Sequence, residues 1–248
     1  MASNPPGACC TIGVRHKGEP AGQNIKVGKY QAYIAVPDKS KIHEEAAILY
    51  IPDVIGIWQN SKLIADQFAV NGYLTLIIDV FNGDPLPLNL HLNGPEGFTI
   101  VAEWLSKGST GNNPHTNEYV DPIVELAIKY LREEKGIKKL GAVGYCFGAK
   151  VVGFFAHPSF VEEEELAGFK GPLSIAAADN DIVFPADKRH VSEKILAAGG
   201  QPYQISLYSH VTHGFSVRCD ISKKVQRYAK EQAFIQAVTW FDTWLVPE

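Results

Sequence analysis

The chain has 248 residues, 46% of them hydrophobic and 20% charged, with a formal net charge of −4. That balance describes a globular protein with a sizeable core and excludes the basic footprint of a nucleic-acid binder. No apolar run reaches membrane-spanning length, and the opening residues lack a charged segment followed by an apolar one. Four cysteines without CxxC spacing argue against a disulfide framework or a zinc site, so reduced cytoplasm is the expected compartment.

Residues 1–24 read as an irregular arm. Cys9 and Cys10 lie in it, and adjacent cysteines pair poorly because neighbouring Cα positions rarely meet disulfide geometry. They read as structural or incidental. Residues 31–37 predict an early strand near a sheet edge, ended by Pro37. Residues 46–51 form a continuous apolar run between Glu45 and Pro52, the pattern of a buried strand. A loop from Pro52 to Trp58 follows, then an amphipathic helix over 60–71 with Leu63, Ile64, Phe68 and Ala69 near one face and Gly72 as its stop. Residues 73–79 predict a second buried strand. Strand, helix and strand at this spacing make a βαβ unit and therefore a parallel sheet.

Pro85, Pro87 and Pro95 mark 81–97 as a long loop, and such loops are often functional. A helix is expected over 96–107. Another starts at Asp121 as N-cap, with Pro122 in the first helical position, and runs to Gly136. Residues 140–143 are a short apolar strand that meets Gly144-Tyr145-Cys146-Phe147-Gly148. This fits the nucleophile-elbow pattern with Cys in place of Ser. The sharp turn would hold Cys146 strained, and Gly on both sides relieves the crowding. Residues 149–156 read as an apolar helix whose positive end would favour a Cys146 thiolate.

The four carboxylates at 162–165 read as a solvated turn or helix start. Strands follow over 171–178 and 202–208, with a helix over 185–199 between them and a closing helix over 222–245. No repeat or linker divides the chain, so 1–248 is expected to be a single domain. An elbow predicts an acid and then a histidine, each beyond a later strand end. Asp179 and Asp181 follow one strand, and His210 and His213 follow the other. In open α/β sheets such loops gather beyond the carboxyl ends of the strands.

These pieces resemble the dienelactone hydrolase family, a branch of the α/β-hydrolases with a Cys nucleophile. The likeness rests on Gly144 through Ala149, Asp181-Ile-Val-Phe-Pro185, and Tyr208 through His213-Gly-Phe215, and it covers nearly the whole chain from Ile25 onward. The Cys9-Cys10 opening is similar to fungal members. The resemblance implies a single-domain α/β-hydrolase fold, with a mostly parallel central sheet and helices on both faces. It implies Cys146 as nucleophile, His213 as base and Asp181 as the residue that orients it. The N–H of Phe147 would be one oxyanion donor, and that of Val54, or else Ile55, the other. The substrate would be a small ester or lactone. No cofactor, metal, nucleic acid or membrane is implied, and the chain would be a monomer or homodimer.

Two features depart from the family pattern. A Glu that keeps the resting Cys neutral corresponds here to Asp53, one methylene shorter. Of two arginines that grip a substrate carboxylate, the first has no counterpart near Asp79 and the second corresponds to Arg218. Trp58, Phe81, Phe147 and Phe215 suggest a more apolar pocket. The alternatives on the same scaffold are a ring-opening or rearrangement enzyme and a non-catalytic binding protein.

Overall fold

Alternating burial along apolar runs builds a sheet covered on both sides. The computed structural model describes residues 1–90, 95–148 and 153–246. Among these, the strands are β1 (Gln23–Val27), β2 (Tyr30–Ala35), β3 (Ala46–Ile51), β4 (Leu74–Ile78), β5 (Lys139–Tyr145), β6 (Gly153–Ala156), β7 (Leu173–Asn180) and β8 (Tyr203–Thr212). They form one sheet in the order β1-β2-β4-β3-β5-β6-β7-β8. β2 pairs antiparallel with β1 and with β4, and the other neighbours are parallel.

β3 is buried at every residue, as a strand covered on both faces must be. The helices are α1 (Gln59–Val70), α2 (Pro95–Lys107), α3 (Asn117–Lys129), α4 (Glu163–Ala167), α5 (Ala186–Gly199), α6 (Phe215–Arg218) and α7 (Lys224–Leu245). Ala47, Leu49 and Ile51 point to the face covered by α2 and α3, through Trp104, Leu105, Ile123 and Ala127. Ala46, Ile48 and Tyr50 point to the other face, where Ile64 and Phe68 of α1 meet Ala233, Ala237 and Phe241 of α7. A third cluster packs Leu196 of α5 and Leu166 of α4 on Leu173, Ile175 and Ala177 of β7. Each of these large side chains contributes roughly 1.5–3 kcal/mol by leaving water. No helix among the described residues is long and apolar enough to cross a membrane.

The structure corrects four expectations. First, a further strand, β1, lies at the edge outside the expected early strand and overlaps the end of the supposed arm. β1 is a polar strand with one fully buried residue, Val27, so it carries no apolar signal. Second, α3 begins at Asn117, and Pro122 sits inside it. The earlier start buries Val120 against the core, which offsets the hydrogen bond that proline removes. Third, the last sheet strand continues to Thr212.

The fourth correction concerns the segment after the elbow. Gly153–Ala156 is strand β6, paired between β5 and β7. Four apolar residues do not distinguish strand from helix by periodicity, and pairing on both sides decides it. The rest of that expected helix, 149–152, lies outside the described residues, as do 91–94 of the long loop. Residues 146–152, seven in all, connect β5 to β6.

Candidate active site

Cys146 follows the last residue of β5 and opens a 3-10 turn, Cys146–Gly148. Its φ is +55°, a left-handed conformation that costs a non-glycine residue about 1–2 kcal/mol. Gly148 explains how the turn fits. A Cβ there would lie 2.2 Å from the carbonyl oxygen of Ile51, so only glycine lets the elbow tuck against the end of β3. The Cys146 thiol is buried, with its Sγ 3.4 Å from Ser159 Oγ. The Ser159 N–H donates back to the Cys146 carbonyl at 3.0 Å.

Asp181 and His213 come from the loops after β7 and β8. His213 Nδ1 lies 2.9 Å from Oδ2 and 3.1 Å from Oδ1 of Asp181. The N–H groups of Val183 and Phe184 donate to the same carboxylate at 2.8 and 3.1 Å, which fixes its orientation. Asp179 instead accepts from the N–H of His210 and of Val211, capping the irregular end of the β7–β8 pairing. His210 itself is exposed. His213 Nε2 is buried and has no hydrogen-bond partner among the described residues. A ring nitrogen of His213 and the sulfurs of Cys146 and Cys10 lie within 4.8 Å of one another. With Nδ1 committed to Asp181, Nε2 is the nitrogen left to face the sulfurs.

Charge in this cluster is strongly coupled. Burial would raise the Cys146 pKa. A hydrogen bond from Cys10 and the charge of His213 outweigh that and hold it well below the ordinary thiol range. Burial would lower His213, but the Cys146 thiolate and Asp181 push it up to about 10. Burial also opposes ionisation of Asp181, yet His213 and the two N–H donors keep its pKa below the usual value. Thiolate and imidazolium therefore sustain each other. This support comes from side-chain charge and a thiol donor.

Asp53 and Arg218 meet behind this cluster. Arg218 Nη1 donates to Asp53 Oδ2 at 2.5 Å with both side chains buried. Burial, only partly countered by Arg218, raises Asp53 to about 6. Arg218 Nε also donates to the Ile12 carbonyl at 3.1 Å, and the Arg218 carbonyl accepts from the Val14 N–H. Its guanidinium crosses Gly214 so closely that a Cβ there would fall 2.5 Å from Cζ. The arm is thus ordered across the site. Asn60 secures it further, accepting from the His16 N–H and donating to the Val14 and Val217 carbonyls. The Ile55 N–H is engaged by Asp53 Oδ1, which favours Val54 over Ile55 as a donor beside Phe147.

The four aromatic residues separate. Phe81 and Phe147 pack together at 5.2 Å between ring centres, with Trp104 and His115 on Phe81. Phe215 lies on the opposite face of the sheet, against His157 and Tyr208. Trp58 borders both clusters. Two cavities, of about 290 and 230 Å³, flank the imidazole and share Ile12, Thr212 and His213. Cys146 lines neither. Sequence reasoning passed over Ser159, His157 and the role of Cys10. His157 is buried with its ring 4.9 Å from that of His213. Cys10 had a visible signal in Cys9-Cys10, but only the fold brings it to residue 146.

A sequence model of the dienelactone hydrolase family matches residues 30–245. The chain is 44% identical to hydrolase pyvD of Aspergillus violaceofuscus and 46% identical to hydrolase tropI of Talaromyces stipitatus, each over 99% of both chains. It is 34% identical to dienlactone hydrolase 1 of Gibberella moniliformis, over 100% of this chain and 97% of that one. Among solved structures, it resembles a dienelactone hydrolase-like promiscuous phosphotriesterase from metagenomic libraries, with a TM-score of 0.65 at 11% identity. That match covers 90% of this chain and 97% of the other. The fold is therefore shared where the sequence has diverged.

Proposed function

The chain belongs to the dienelactone hydrolase family, and we propose that it is a thiol-dependent hydrolase of a small, uncharged ester or lactone. Cys146 is the nucleophile, His213 the acid–base group and Asp181 the residue that holds the imidazole. One observation carries this reading. His213 is fixed on one nitrogen by Asp181, and its other nitrogen is buried, unpartnered and turned toward the sulfurs.

The Cys146 thiolate attacks the carbonyl carbon, and the electron pair moves to oxygen. The N–H groups of Phe147 and Val54 receive that oxyanion. Collapse expels the alkoxide, to which His213 gives its proton, leaving a thioester. His213 then takes a proton from water, whose oxygen attacks the thioester and releases the acid and the thiolate. Arg218 gives Nη1 to Asp53 and Nε to the Ile12 carbonyl, which leaves Nη2 alone and no two-point grip for a substrate carboxylate. Phe81 and Phe147 offer an apolar wall instead. This supports a neutral substrate over a carboxylated lactone.

The test is intact-protein mass spectrometry after brief mixing with a panel of activated esters and lactones, for wild type and Cys146→Ala. Acyl adduct or turnover in wild type and neither in the variant is the expected result. Full turnover in Cys146→Ala would sink the assignment.

The burial of Cys146 favours one second reading, ring opening or rearrangement without net hydrolysis, because a covered thiol limits the water that reaches an acyl-enzyme. Heavy-oxygen water separates the two. Product carrying solvent oxygen supports hydrolysis, and product without it supports rearrangement.

A further inference from the structure

The proposed reaction leaves one buried thiol unused. Cys10 is fully buried with its sulfur within 4.8 Å of Cys146 Sγ, yet it forms and breaks no bond in acyl transfer. We propose that Cys10, Cys146 and His213 form an inhibitory binding site for a thiophilic divalent cation, with zinc as its biological occupant.

The donor set is that of zinc. Two thiolates, one imidazole and an open fourth position are a known arrangement for this ion. Spacing along the chain argues against a metal framework, but the fold assembles these ligands from positions 10, 146 and 213. Their donor atoms already lie within 4.8 Å of one another. Tetrahedral zinc with sulfur ligands needs separations of about 3.8 Å, so closure asks for a contraction of about 1 Å at most.

Each ligand is held. The elbow fixes Cys146, and a 3-10 turn, Ala8–Thr11, fixes Cys10, with its N–H on the Gly7 carbonyl at 2.9 Å. Asp181 takes Nδ1 of His213 and so aims Nε2. A carboxylate behind a ligating histidine is the usual outer support of such a site. Nε2 is, moreover, a buried polar atom with no partner, a state that bound metal would relieve.

Charge also balances. Cys10 gives up its thiol proton to solvent as the ion binds, the two thiolates then neutralise the ion, and Arg218, which would repel it, is paired with Asp53. A cavity of about 290 Å³, lined by Cys9, Asn180, Ile182 and His213, borders the imidazole end of the cluster. Once bound, the ion occupies both the attacking sulfur and the basic nitrogen.

The test uses the full chain, reduced and stripped of metal. Cobalt(II) serves as a coloured stand-in for zinc. The expected result is one equivalent bound, with a thiolate-to-cobalt charge-transfer band and the visible bands of a tetrahedral site, both removed by zinc. In Cys10→Ser the charge-transfer intensity should fall to about half, since one thiolate of two remains. Metal-free turnover of that variant should fall with loss of the Cys10 donor, so zinc inhibition is read against the variant's own metal-free rate and should weaken by at least about 10-fold, as loss of even an outer support does. Cys10→Ala repeats the test should the serine hydroxyl disturb the buried site. The proposal is overturned if the reduced wild type binds no cobalt, or if spectrum and zinc sensitivity are unchanged in both Cys10 variants. The cobalt signal does not depend on turnover, so it stands or falls apart from the proposed reaction.

Discussion

Two histidines in this molecule are buried against an aspartate, and they behave in opposite ways. His213 meets Asp181 at 2.9 Å, and His115 meets Asp84 at 3.1 Å. Both rings are almost wholly covered. Yet His213 is pushed up to about 10, whereas burial, with Asp84 only partly opposing, moves His115 below its ordinary value of 6.5. The difference lies beyond the shared carboxylate. His115 packs on Trp104 at 4.4 Å and on Phe81 at 5.4 Å, so its surroundings are apolar. His213 faces a thiolate. A histidine–aspartate contact is therefore a structural device until the environment of the second nitrogen makes it a chemical one.

The sharpest way to break this comparison is to remove each carboxylate's charge. Asp181→Asn should lower kcat by about 10⁴, the cost of the wrong imidazole tautomer in a comparable triad. Asp84→Asn should leave kcat within about two-fold and instead cost about 1 kcal/mol of stability, through weaker bonds to His115 and the Ser109 N–H. Steady-state kinetics and urea midpoints read the two effects. Equal kinetic losses would mean that the pairs do not differ as argued.

Next in size is the titration itself, followed by NMR of the imidazole resonances. In Cys146→Ala the His213 pKa should drop well below about 10, toward the behaviour of His115. Stability carries the same contrast with opposite sign. His213 contributes stability that is complete below 6.5 and lost as pH rises through about 10. His115, which resists protonation in the fold, costs stability as pH falls below 6.5. Urea midpoints across pH should show both limbs, and a His115→Gln variant should flatten only the acid one.

The smallest effect concerns Asp53. Asp53→Asn should erase an inflection near pH 6 in the alkylation rate of Cys146. A profile identical to wild type would confine Asp53 to holding Arg218 and the arm.

Much of this was legible along the chain. Residues 46–51 and 173–178 announced themselves because a strand buried on both faces must be apolar throughout. Cys146, Asp181 and His213 were legible because each follows a strand end, and parallel strands bring those ends together. β1 was not, since an edge strand needs little apolar surface. β6 was not, because Gly-Phe-Phe-Ala suits either regular structure. The Asp53–Arg218 pair was visible only as two separate family positions, and Cys10 not at all as a site residue. Both depend on contacts between segments far apart in sequence, which local pattern does not encode.

The N-terminal arm has a consequence for the order of folding. Ala2 bonds to Val161, Asn4 to Val183, and Val14 to Arg218, so these residues wait for partners made much later in the chain. Contacts of such long sequence separation form late, because their loop-closure entropy is met only after the sheet exists. During synthesis the sheet and the elbow can assemble while the strap over them is still loose. Cys146 is therefore open to solvent throughout that interval and becomes enclosed when residues 2–14 dock.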